Sequence, residues 1–197
     1  MATLDPSTDL GHRLRKLRKD QRLSLAQLSD LSNVSVSMLS HIERAQTTPS
    51  LKTLDKICQA LGVEMPAVFP VKEPTENSSS SPVVRANERA RLDFPSVGLT
   101  KELLSPSSSG SKTLEFFMMI VEPGGGSGPE YLVRNGEKGG IILQGKLLLS
   151  VGEHQYNLSE GDSFQFDSGK PHRIHNITTE ETKLMWIICP HKIAGEI

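Results

Sequence analysis

Cysteine is scarce in this chain. Cys58 and Cys189 are the two among 197 residues, and they have neither the spacing of paired metal ligands nor that of a disulfide framework. Both lie in apolar patterns, so both are expected in cores. A secretion signal is missing, because the opening MATLDPSTD lacks the basic-then-apolar order such a signal needs. Long hydrophobic runs are missing too, and nothing approaches the length of a membrane span. These absences point to a cytoplasmic protein with no membrane partner. Excess charge is also lacking: 22 Lys and Arg against 23 Asp and Glu leave a formal net charge of -1. That near-neutrality argues against a nucleic-acid binder only until the chain is divided. Through Lys72 there are ten basic and seven acidic residues, net +3, and the remainder has twelve against sixteen, net -4. With 36% hydrophobic and 23% charged residues, the length suits one or two soluble globular domains.

What is present early is helical. Leu10, Leu14 and Leu17 mark a first helix whose other faces carry Arg13, Arg15, Lys16, Arg18, Lys19 and Arg22. Ser24 can cap a second, with Gln27 as its capping-box partner and Leu25, Leu28 and Leu31 as the apolar stripe. Asn33 tolerates the left-handed corner that follows, and Ser35 offers the next N-cap. On the third helix the spacing predicts Met38, Leu39 and Ile42 toward one side and Ser37, Ser40, His41 and Arg44 toward the other. Short polar and basic groups of that kind can bond base edges or phosphates. Ser50 caps a fourth helix with Leu51, Leu54, Ile57, Cys58 and Leu61 at core spacing and Gly62 as its stop. A short helix over residues 65–69 would make five.

LSLAQLSDLSNVSVSMLSHIERAQTTPSLKTLDKICQALGV resembles the helix-turn-helix domains of phage Cro and repressor proteins, over about residues 9–69. The resemblance implies double-stranded DNA as partner. The expected DNA-facing residues are Arg15, Arg18, Ser24, Gln27, Ser35, Val36, Ser37, Ser40, His41 and Arg44. Leu25 departs from the family, which often has glutamine there.

PVKEPTENSSSSP, residues 70–82, has no helix or strand periodicity after Val71 and reads as a linker. Residues 105–111 form a shorter such stretch, expected to be a hairpin loop. Beyond Val83 helix signals nearly vanish. Residues 112–122, 140–151, 162–167 and 182–189 are apolar or alternating runs separated by Gly, Pro and Asn turns, as in an antiparallel jelly roll.

GDSFQFDSGKPHRIHN resembles the second motif of the cupin β-barrels, with Gly161, Gly169, His172 and Asn176 at the family spacing and Asp167 where proline is usual. Aligned on Gly145, the first motif's ligand positions fall on Leu132, Arg134 and Lys138, so His172 alone remains of the usual metal set. Glu137 lies one residue from the expected glutamate. No metal, no cofactor and no catalytic residue are therefore expected. His175 is read as surface and His154 as a hairpin residue.

Together the halves resemble bacterial regulators that fuse a Cro-type domain (the XRE family) to a C-terminal cupin. The implied organisation is a DNA-binding domain over 1–70, a linker over 71–82 and a cupin over 83–197, a multidomain α + β chain. The resemblance implies a homodimer on a dyad-symmetric operator and a cupin that senses a metabolite. Arg134 and Lys138 near His172 suit an anionic effector, with Tyr131, Phe164 and Phe166 as further candidate contacts. Two other readings compete: a metal-dependent cupin enzyme with a vestigial DNA-binding domain, and a dimeric regulator that takes no effector.

Overall fold

The computed structural model describes residues 6–69, 81–106 and 114–189. Four α-helices come first: α1 (Pro6–Asp20), α2 (Leu25–Ser32), α3 (Val36–Glu43) and α4 (Leu51–Ala60). Each of the last three starts where a serine can satisfy free backbone N–H groups. Ser24 and Gln27 form the full capping box, Ser35 accepts from the Met38 amide and Ser50 from the Thr53 amide. Asn33 makes the corner in the left-handed conformation, at φ 54°. The expected fifth helix is a four-residue 3-10 turn, Met65–Val68, because Pro66 sets its start and the run is too short for an α-turn ladder.

Leu14, Leu28, Leu39, Ile42, Leu54, Ile57 and Cys58 are buried together. Two expected core residues are not among them. On α2 the buried line runs Leu28 to Ser32, which leaves Leu31 59% exposed, and on α3 it runs Leu39, Ile42, Glu43, which leaves Met38 42% exposed. One helical step of about 100° separates Met38 from Leu39, enough to carry it off the core side.

Among the described residues the second half holds nine strands in two sheets. One is ordered β1 (Arg91–Phe94), β2 (Leu99–Leu103), β3 (Glu115–Val121), β9 (Thr182–Cys189), β4 (Glu137–Gln144), β7 (Ser163–Asp167). The other is ordered β6 (His154–Ser159), β5 (Lys146–Val151), β8 (His172–His175). All pairings are antiparallel. The 140–151 run, expected as one strand, is divided between the sheets at Gly145. That residue sits at φ 82°, and a Cβ there would lie 2.9 Å from the Glu181 carbonyl oxygen. On β9 the alternation buries Leu184, Trp186 and Ile188 and turns Cys189 outward, so the second cysteine is exposed rather than in the core. The expected linker falls largely on residues 70–80 and the expected hairpin loop, 105–111, largely on 107–111, which lie outside the described residues, though β2 and β3 do pair as a hairpin would.

The two halves touch. Phe69 packs on Phe117 with ring centroids 5.5 Å apart, the Lys101 amine lies 3.7 Å from the Met65 sulfur, and Lys52 pairs with Glu130 at 2.9 Å.

Candidate nucleic-acid interface and barrel cavity

The capped start of α3 projects Val36, Ser37, Met38 and His41 into solvent, with Ser40 half-buried beside them. Ser37 and Ser35 hydroxyls are 3.2 Å apart, and Arg44 folds its Nε back to the Ser40 carbonyl at 3.1 Å. Arg15, Ser24, Gln27, Ser35 and Arg44 are exposed as well. The face therefore mixes hydroxyls, an imidazole and two apolar tips, which can meet base edges and thymine methyl groups. Met38 is the addition that the apolar spacing concealed.

Arg18 does not belong to this face. It is 8% exposed and holds Glu43 of α3 in a two-pronged pair, Nε to Oε1 at 2.6 Å and Nη2 to Oε2 at 2.8 Å, while Nη1 donates to the Leu23 carbonyl. The Glu43 carboxylate raises the Arg18 pKa. A basic residue expected at phosphates is thus the brace between α1 and α3.

In the barrel, Lys138 and His172 meet as the spacing predicts, Lys138 Nζ standing 2.8 Å from His172 Nε2. Nδ1 of His172 faces the Lys170 carbonyl at 2.8 Å, so the ring donates there and accepts from Lys138 at Nε2. Burial, then the Lys138 charge, push the His172 pKa down to about 4, so the ring is neutral at pH 7. Burial also pushes Lys138 down to about 7, helped by the charge of Lys101, which is itself lowered to about 8. Lys101 was missed in the sequence, although its place between Leu99 and Leu103 on one strand gives it their inward direction. These three basic groups line a narrow cavity of about 20 Å³ with Leu132, Trp186 and others, and its wall includes Leu51 of α4.

Arg134 lies elsewhere. Its backbone is clamped by Ser168, and its guanidinium, 12% exposed, points between the two halves, where it pairs with Glu64, with Asp55 at 3.6 Å and with Glu115 at 3.8 Å. Neither Glu115 oxygen receives a hydrogen bond from a fixed donor, and Glu64 can supply one only when a proton is shared between the two acids. Burial and that neighbour push the Glu115 pKa up to about 8. Tyr131 is also displaced from the expected cavity. It is 37% exposed under the Arg173 guanidinium, 4.9 Å from the ring centre. Phe164 and Phe166 face inward but line an open cleft of about 700 Å³ between β7 and β5–β6. Their rings, 5.1 Å from Trp186 and 5.0 Å from His172 respectively, form the partition between that cleft and the narrow cavity.

The fold commonly houses a metal, and the residues here do not fit one. Leu132 offers no ligand, Arg134 is turned away, and the Nε2 lone pair of His172 is taken by Lys138. Among the described residues no three His, Cys, Asp or Glu side chains are grouped to hold an ion.

Residues 14–68 match the helix-turn-helix family HTH_3, and residues 117–188 match the Cupin_2 cupin domain family. The chain joins a Cro/repressor-type (XRE) helix-turn-helix domain to a C-terminal cupin domain. The HTH-type transcriptional regulator PuuR of Escherichia coli K12 is 28% identical over 166 residues, 84% of this chain and 86% of that protein. SinR of Bacillus subtilis, also an HTH-type transcriptional regulator, is 37% identical over 68 residues, 34% of this chain and 61% of its own. A crystal structure of an HTH_3 family transcriptional regulator from Vibrio cholerae has the same fold, with a TM-score of 0.73 at 24% identity over 95% of this chain and 98% of that one. No described helix of this XRE–cupin chain is long and apolar enough to cross a membrane.

Proposed function

We propose that this DNA-binding transcription regulator with a cupin domain acts as a homodimer on a dyad-symmetric operator, and that its barrel cavity senses a small anionic metabolite. The DNA part is supported by the exposed Ser37, Met38 and His41, with half-buried Ser40 beside them, on a capped, braced α3. The phosphates are assigned to Arg15 and Arg44, with the Ser24 and Gln27 end of α2 beside them. Two copies of α3 would read major grooves one helical turn apart.

One observation carries the effector part. Lys101 and Lys138 are 4% and 5% exposed around one cavity, and among the described residues neither has a carboxylate within ion-pair distance. Buried ammonium groups without a counter-charge are costly, and a carboxylate, sulfonate or phosphate supplies one. The same wall supports the non-enzymatic reading, since among the described residues no three His, Cys, Asp or Glu side chains are grouped to hold a metal. A thermal-shift screen of small carboxylates, sulfonates and phosphates on the full chain tests the effector. At least one should raise the wild-type Tm by several degrees and leave Lys138→Met unmoved. Equal shifts in both proteins would contradict the site.

A further inference from the structure

The basic cavity is smaller than any metabolite. About 20 Å³ is room for the centre of a water or two, so a carboxylate or phosphate enters only if part of the wall yields. Nine of its ten lining residues belong to the barrel, on strands and loops tied by main-chain hydrogen bonds, and the tenth is Leu51, the first residue of α4. The DNA-binding domain also covers the basic groups from outside, with Met65 beside the Lys101 amine.

We propose that the anion site is shared between the domains: Lys101, Lys138 and His172 form its floor, and Leu51 of the DNA-binding domain forms its removable roof. This rests on the effector reading above and names how that site is closed. The roof is held by the buried Phe69–Phe117 packing and, at its rim, by ion pairs. Arg134 of the barrel reaches Glu64 and Asp55 of the DNA-binding domain, and Glu130 of the barrel holds Lys52, the residue next to Leu51. An anion on the floor lies near that rim and competes with Asp55 and Glu64 for the surrounding positive charge, so filling the site and loosening the clasp are one event. Because α4 packs on α2 within the DNA-binding domain, its displacement carries the reading helices with it. Lys52 also changes role in the process, since release from Glu130 leaves it free to meet a phosphate.

Trp186, the single tryptophan of the chain, lines this cavity with Lys138 Nζ 6.0 Å from its ring and so reports on the roof directly. The test is quenching of its fluorescence by iodide, a small anion, and by neutral acrylamide, in the full-length protein without DNA or metabolite. Arg134→Ala should raise the iodide Stern–Volmer constant several-fold and the acrylamide constant less, since the floor is basic, and Arg134→Lys should restore part of the protection. Leu51→Ala should act in the same direction. Glu130→Ala, at an exposed residue, provides a rim variant that leaves the core intact should Arg134→Ala fail to fold cooperatively. Wild-type constants in all the rim and roof variants would overturn the proposal. So would a rise confined to Phe166→Ala, which would put the entrance at the open cleft. Neither result depends on DNA recognition, so a failed roof and a failed effector reading are told apart.

Discussion

Arg18 and Lys138 are both basic residues that folding takes out of water, and they end in opposite situations. Arg18 has a full carboxylate fork in Glu43, so its loss leaves a buried anion unpaired. Arg18→Ala should therefore cost about 3–5 kcal/mol of stability in a denaturant titration. A cost below about 1 kcal/mol would return Arg18 to the phosphates. Lys138 has only a neutral imidazole. Its folded pKa, about 7, lies below its unfolded value, so folding sheds its proton. The associated stability is present at high pH and is lost as pH falls toward 7. Between pH 8 and 9 the wild type should gain stability with pH more steeply than Lys138→Met, by about 1.4 kcal/mol per pH unit. Parallel profiles would contradict the buried amine. The sequence told these two residues apart poorly, because helical spacing placed Arg18 on a basic face while its partner lies 25 positions away. Lys138 and His172 were legible because a known motif fixed their spacing, whereas Arg134, four residues upstream on irregular chain, had no strand to fix its direction.

At the level of elements, the helical half was readable because its signals are local. Serine caps and a left-handed asparagine act within four residues of the helix ends they set. The proposed reading face of α3 follows from them. Ser37→Ala and His41→Ala should alter which bases are preferred in selection from random duplexes, with little change in stability. Arg15→Ala should weaken all sequences alike and lower the log–log salt slope by up to about 1. Unchanged preference in the Ser37 and His41 variants would move the reading face elsewhere. The strands were harder. β4 and β5 form one apolar run, and only the positive φ demanded at Gly145 shows that they belong to different sheets. β1 and β8, with four residues each, carry too few alternations to stand out.

For the whole molecule, the order of the two domains was legible and their contact was not. Leu51, Lys52, Asp55 and Glu64 read as parts of a helical domain, and nothing in their spacing says that Glu130, Arg134 and the cavity wall lie against them. Contacts between residues some 70 positions apart follow from how two finished surfaces meet, and charge complementarity at that seam becomes visible only in the structure. The central claim remains that this chain reads a specific duplex as a dimer, and the most direct measurement is a fluorescence-anisotropy titration at physiological salt. The labelled duplex would be the one recovered by selection with the full-length protein, compared with a scrambled duplex of the same length and composition. The account predicts two chains per selected duplex and a preference of about a thousandfold or more over the scrambled one. Equal affinity for the two, with the same salt dependence, would contradict it.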